Sequence, residues 1–201
     1  MLVQRHAQHA RGFGSIGMSL AHTQTDPDDH DSSAFETGGA MAQLVQQSVG
    51  SQAIRAAALQ AVAALPQSAS RKQKADAVWH WVHTHMTLVP HEELACEFAG
   101  RCDGQAQFLM SPELALRVGK GDCAIYTPLV CSMLFSVGVP CRMIPVAADS
   151  TDRRRLSHVY AAAVLEDGSL YPLDASHGPR PGWQTPTPRR EVWPVFGLPL
   201  W

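Results

Sequence analysis

Between Gly121 and Gly138 the chain carries Asp-Cys-Ala-Ile-Tyr-Thr-Pro-Leu-Val-Cys-Ser-Met-Leu-Phe-Ser, a run with a polar start and a largely apolar body. This predicts one mostly apolar helix from Asp122 or Cys123 to Ser136, closing at Gly138 and lying centrally in the fold. Pro128 falls inside it and predicts a kink or an irregular first turn. After Gly138-Val139-Pro140, residues 141–147 read as a strand, which Pro145 assigns to an edge or a bulge. Residues 157–165 and 169–174 are two further strands joined through Asp167-Gly168, a hairpin signal. The expected class is α+β, with helices packed on a small antiparallel sheet.

Upstream, residues 41–65 are Ala-rich and carry Leu44, Val45, Val49, Ile54, Ala58, Leu59, Val62 and Leu65 at helical spacing. An interruption is expected near Gly50-Ser51 and a stop at Pro66. A second helix is expected over 71–86, with Ala75, Val78, Trp79, Val82 and Met86 on one stripe and Ser70 as N-cap. Leu88-Val89-Pro90 reads as extended. Ser111-Pro112-Glu113 combines a cap, a first-position proline and a first-turn acid, so a short helix should run to about Gly119.

Residues 1–40 are poor in core-forming side chains and include the acidic, small-residue run from Thr25 to Ser33. They are expected to form a flexible arm outside the fold. The expected organisation is this arm, a domain over 41–177, and an extension over 178–201. The extension holds six of the fourteen prolines and three of the five tryptophans. It is too apolar for a free tail and should wrap over the domain or dock on a partner.

With 201 residues, 45% hydrophobic and 17% charged, the chain suits one globular domain with trimmings. A net charge of −2 argues against general attraction to nucleic acid or anionic membrane. The runs Arg153-Arg154-Arg155 and Arg189-Arg190 read as solvated loop charge. No window has the ~20 apolar residues of a bilayer span, and the basic N-terminus lacks the apolar core of a secretion signal. The five cysteines are odd in number and scattered, so they do not read as a disulfide framework; a reducing, cytoplasmic setting is expected.

Gly121-Asp122-Cys123 places a thiol at the first turn of the apolar helix. Unpaired backbone N–H groups there favour a thiolate nucleophile and can hold an oxyanion on a substrate carbonyl. Gly121 lets the chain turn tightly beside the sulfur. Of the ten histidines, His158 begins a core strand in Ser157-His158-Val159-Tyr160-Ala161. Asp174 ends the neighbouring strand and is the candidate acid for orienting that imidazole.

Hairpin register tests the pairing of His158 with Asp174. A two-residue loop at Asp167-Gly168 would pair Leu165 with Leu170, and Asp174 would face away from His158. A three-residue loop, Glu166-Asp167-Gly168, with Gly168 left-handed and a bulge, shifts the register by one. His158 then opposes Ser176, and Asp174 becomes its same-face diagonal neighbour, ~7–8 Å away between Cα atoms. A working triad therefore requires the longer loop.

Gly121-Asp122-Cys123 at a helix start, Gly138-Val139-Pro140-Cys141-Arg142, His158-Val159-Tyr160-Ala161 and Leu173-Asp174, in this order, resemble the bacterial and phage transglutaminase-like domains. These belong to the papain-like cysteine-protease superfamily, and the resemblance covers roughly residues 70–176. It implies Cys123 as nucleophile, His158 as base, Asp174 as orienting acid and a structural role for Arg142. Gln105 and Gln107 lie upstream of Cys123, where related enzymes can supply a side-chain oxyanion donor. Pro128 in the helix and Ala161-Ala162-Ala163 after His158 depart from the family pattern. A competing metal reading draws on His80, His83, His85, His91, Cys96 and Cys102, but their spacing matches no standard zinc pattern, and neither metal nor cofactor is expected.

The expected chemistry is cysteine-dependent attack on a protein or peptide amide, resolved by water or by an amine, with hydrolysis first. The alternative is a non-catalytic assembly protein, such as a phage-particle component, using residues 1–40 and 178–201 to dock; the setting would then be the virion. Neither nucleic acid nor membrane is an expected partner.

Overall fold

A computed structural model describes residues 20–24, 30–100, 102 and 106–196. Its first half contains β1 (Leu20–Gln24), α1 (His30–Ser48), α2 (Gln52–Val62), α3 (Arg71–His85), β2 (Thr87–Leu88) and α4 (His91–Ala99). There follow β3 (Ala106–Met110), α5 (Pro112–Val118), β4 (Lys120–Gly121) and α6 (Cys123–Ser136). The last part contains β5 (Cys141–Val146), β6 (His158–Val164), β7 (Leu170–Leu173) and β8 (Trp193–Pro194).

The apolar run folds as α6 and occupies the centre. Ile125, Leu129, Met133 and Leu134 are fully buried. One side of α6 packs on β6, while α1, α2, α3 and α5 surround the rest. The helix continues through buried Pro128, which removes the N–H that would bond the carbonyl of Ala124. Local chemistry sets the neighbouring helix ends. Ser70 and Gln73 form a reciprocal capping box on α3, and Ser111 Oγ accepts from Leu114 N on α5.

The main sheet is antiparallel, in the order β7-β6-β5-β8, with helices packed against it. β1 pairs with β3 in a separate antiparallel ribbon, and β2 pairs with β4 in parallel. The β6–β7 hairpin has the longer loop. Val164 pairs with Leu170 and Ala161 with Leu173, Leu165 N donates to Ser169 O, and Gly168 N donates to Leu165 O. Gly168 has φ +81°, the left-handed conformation that this three-residue loop needs.

Three expectations are corrected. Residues 30–40 are not part of an arm: they form the first half of α1. Gly38 there lies against the Trp193 ring so closely that a Cβ would collide with it, and Phe35 stacks on the same ring at 5.1 Å between centroids. Contact with the C-terminal extension stabilises this stretch, which its own composition does not reveal. The rest of the expected arm, apart from β1, lies outside the described residues. The extension wraps over the domain through β8, so β5 is not an edge strand. Pro145 is tolerated because its one backbone polar group, the carbonyl, faces the extension and accepts from Glu191 N at 3.0 Å, so the bond made there needs no N–H from proline.

The third correction concerns the cysteines. Cys96 and Cys102 form a disulfide, with Cα atoms 4.4 Å apart, while Cys123, Cys131 and Cys141 are free. The helix end at left-handed Gly100 turns the chain back and brings the two together, a local geometry that counting cysteines does not capture. Among the described residues, no helix is long and apolar enough to cross a membrane.

Leu129 is 0% exposed in α6, whereas Leu59 on α2 is 50% exposed. Leu129→Ala should cost about 2–5 kcal/mol by urea unfolding, and Leu59→Ala within about 0.5 kcal/mol.

Candidate active site

Cys123 is the first residue of α6, so its N–H has no carbonyl a turn earlier in the helix to bond. Asp122 caps that helix: Oδ1 accepts from Ile125 N at 3.1 Å and Oδ2 accepts from Gln107 Nε2 at 2.8 Å. Burial pushes the Asp122 carboxyl up, against the opposing pull of Gln107, His91 and the Ile125 and Ala124 N–H groups. Gln107 reaches the site, but its amide nitrogen bonds Asp122 and the Phe108 carbonyl. Gln105 lies outside the described residues.

His158 enters from the first position of β6 and is buried. Its Nε2 donates to Asp174 Oδ2 at 2.8 Å, and the Cys123 thiol lies close enough to favour the charged form of its ring. The registry of the hairpin makes this possible, because Asp174 follows β7 on the face shared with His158. One turn after Cys123, Thr127 Oγ1 donates to Val159 O at 3.1 Å and ties the α6 face to the start of β6. α6 and β6 are thus joined directly beside the thiol.

Asp174 is the most heavily bonded group in the site. Oδ2 accepts from His158 Nε2 and from Thr185 Oγ1 at 3.0 Å. Oδ1 accepts from Ser176 Oγ and His177 N, each at 2.9 Å. Burial alone would raise the carboxyl, but His158 and these donors together hold it down to about 2. Burial likewise acts to lower His158, yet its bonds to Asp174 and Cys123 and their charges push the imidazole up to about 10.

His177 is a member of the site that the motifs did not single out. Its ring stands edge-on to His158 at 4.7 Å, and Nδ1 lies 2.9 Å from Ser176 Oγ. Ser176 gives its own proton to Asp174, so its oxygen accepts from His177 Nδ1–H and sets that tautomer. Burial and the neighbouring His158 both lower His177, while Asp174 partly opposes them. The Asp-Ala-Ser-His order at 174–177 was the available signal. Thr185 gave none, since a return of irregular turns eleven residues long brings it to Asp174.

The six residues of the competing metal reading do not converge. His83 stacks on Trp79 at 4.5 Å, His85 stacks on Trp81 at 4.0 Å, and Cys96 and Cys102 are bonded to each other. Among the described residues, one group has donor atoms close enough for an ion: His158, Asp174 and His177. Both Asp174 oxygens already accept two hydrogen bonds, so coordination there would have to break them.

The site opens into a cavity of about 510 Å³. Met41, Leu88, Val89, Leu156 and Trp193 give it apolar walls, and Cys123, His158 and His177 line it too. An approachable thiol, a charged imidazole and a helix N-terminus facing one apolar cavity form an arrangement suited to attack on a carbonyl.

The folded value of His158 near 10 lies above its ordinary 6.5, so the pairing stabilises fully below pH 6.5 and is lost as pH rises through 10. Asp174 acts in the opposite range, its contribution being present above 3.8 and lost as pH falls through about 2. His158→Gln should therefore cost about 3 kcal/mol in urea unfolding at pH 6. The gap to the wild-type protein should narrow by pH 10; a gap independent of pH would contradict the pairing.

No curated protein matches the chain. Among solved structures, a candidate protease from Parabacteroides distasonis ATCC 8503 is 18% identical, with a TM-score of 0.45 over 70% of this chain and 26% of that one. A candidate cysteine protease from Cytophaga hutchinsonii is 14% identical, with a TM-score of 0.44 over 62% of this chain and 37% of that one. A structure described as a TGase is 12% identical, with a TM-score of 0.40 over 79% of this chain and 36% of that one. The chain thus spans between a quarter and two fifths of the length of these solved proteins. The sequence model of the transglutaminase-like superfamily matches residues 56–175, more than half of the chain, from within α2 to just past Asp174, and the chain belongs to that superfamily.

Proposed function

We propose that this chain is a thiol-dependent amide hydrolase in which Cys123 attacks, His158 transfers protons and Asp174 holds His158. The observation that carries the reading is the buried 2.8 Å bond from His158 Nε2 to Asp174, made by an imidazole that lines one cavity with Cys123. With Nε2 committed to the carboxylate, the other ring nitrogen, Nδ1, is the one left to exchange a proton with sulfur and substrate. The thiolate adds to the amide carbonyl, and the Cys123 N–H holds the oxyanion. As the C–N bond breaks, His158 gives its proton to the departing amine. Water, losing a proton to His158, then releases the acid from the thioester and restores the thiol.

Transfer to an amine would use the same first half-reaction, but hydrolysis is favoured because, among the described residues, none that lines the cavity marks an acceptor amine site. The rival assembly reading assigns the extension to a partner. Here much of that segment packs on its own domain, through β8 and through Thr185. The Cys96–Cys102 disulfide supports an oxidising setting in place of the reducing one expected from the cysteine count.

Iodoacetamide labelling at pH 6 tests the nucleophile, because Cys131 and Cys141 are buried. Cys123 should react at least ten times faster than a free thiol, Cys123→Ser should abolish the fast phase, and His158→Ala should slow it at least tenfold. Hydrolysis of a panel of peptide and cell-wall amides should fall about 10²–10⁴-fold in His158→Ala. A Cys123 no more reactive than a free thiol, in a protein that hydrolyses none of the panel, would favour a binding role instead.

A further inference from the structure

The cavity beside Cys123 is mostly apolar, yet one arginine lines it. That residue is Arg155, on the loop between β5 and β6. Its neighbours in the run, Arg153 and Arg154, do not line the cavity. Among the described lining residues, Arg155 is the sole lysine or arginine, and the fixed acids are Glu92 and Asp122. Asp122 is already engaged by Gln107 and by the Ile125 N–H, and Glu92 lies 3.4 Å from His91 Nδ1.

The backbone under Arg155 is held from several directions. Asp152 Oδ1 accepts from Arg154 N at 3.0 Å and from Arg155 N at 3.2 Å. Arg189 Nη1 donates to Arg154 O at 2.6 Å. Ser157 Oγ accepts from Ala148 N at 3.1 Å and Asp149 N at 2.9 Å, closing the base of the loop. A surface arginine on a slack loop would lose side-chain and backbone freedom on binding an anion; here much of the backbone part is already ordered.

Position decides which half of a substrate meets this charge. Arg155 precedes His158 by three residues, so its Cα lies within ~11 Å of that of His158. Glu92 instead follows β2, whose parallel partner β4 leads into Asp122 and Cys123. On the hydrolase reading the departing amine takes its proton from His158, so the amine half would sit toward His158, the strand start that the Arg155 loop leads into. In an amino acid the carboxylate is one carbon from the amine, within reach of a guanidinium, which binds it through two parallel hydrogen bonds.

We infer that Arg155 anchors a free carboxylate on the amine half of the substrate, so that the preferred substrates are amides whose departing amine is an amino acid, as at a peptide C-terminus. This rests on the hydrolase reading above. The bond balance is that of the proposed reaction. The C–N bond breaks, nitrogen takes the His158 proton and leaves as an amino acid with its carboxylate on Arg155. Water then replaces sulfur on the acyl carbon.

Binding can be measured without turnover. The full-length Cys123→Ala protein is titrated calorimetrically with N-acetylated tripeptides randomised at all three positions, prepared once with a free C-terminal carboxylate and once as the carboxamide. The carboxylate pool should bind at least tenfold more tightly. Arg155→Gln should bring the ratio near one, Arg155→Lys should retain part of it, and Arg153→Gln should leave it intact. Equal affinity for the two pools, binding of neither, or a ratio unchanged in Arg155→Gln overturns the inference. Circular dichroism of each variant verifies folding. Unreactive Cys123 with an intact carboxylate preference would remove the hydrolase reading alone. Hydrolysis of amides without that preference would remove this inference alone.

Discussion

The 2.8 Å hydrogen bond between His158 and Asp174 rests on a register that one residue in a loop decides. With Glu166, Asp167 and Gly168 all in the turn, Ala161 pairs with Leu173 and the two functional side chains share a face. A loop one residue shorter would turn Asp174 to the opposite face, because side chains alternate along a strand. The histidine would then be a buried imidazole without a carboxylate, and burial would favour its neutral form. Gly168 at φ +81° is the backbone condition for this arrangement, far from the thiol whose chemistry it sets.

α6 supplies the other half of the geometry. Its body is apolar enough to be enclosed by helices and sheet, which leaves little freedom in where its first residue points. Asp122 stops the helix at that residue, Gln107 secures Asp122, and Thr127 bonds the strand beside His158. The thiol is consequently placed by packing and by three polar contacts, none of which requires substrate. Asp174 is equally constrained, with four donors around one carboxylate, so the imidazole is oriented in the free protein.

Much of this was legible in the sequence wherever local rules decide. The helix caps at Ser70 and Ser111, the helix start at Asp122 or Cys123, the breaks at Gly50 and Gly119, and the hairpin at Asp167-Gly168 follow from side-chain hydrogen bonding and backbone preference within a few residues. The two possible hairpin registers could be written down, but choosing between them needed the structure. The misreadings share a cause, which is dependence on distant contacts. Residues 30–40 join α1 because Trp193 covers Gly38. Pro145 sits in an inner strand because the returning extension asks it only to accept a bond. Thr185 and His177 join the site through the path of the chain after Asp174, and the Cys96–Cys102 pairing depends on the turn at Gly100.

The most direct test is a nitrogen-15 NMR titration of the His158 ring in the wild-type protein and in Asp174→Asn. The account predicts an imidazolium that persists across neutral pH and titrates near 10, with the Nε2 proton hydrogen-bonded. In Asp174→Asn the titration should fall toward or below the ordinary histidine value. A wild-type His158 that titrates near 6.5, or one unaffected by Asp174→Asn, would contradict the proposed coupling of Cys123, His158 and Asp174.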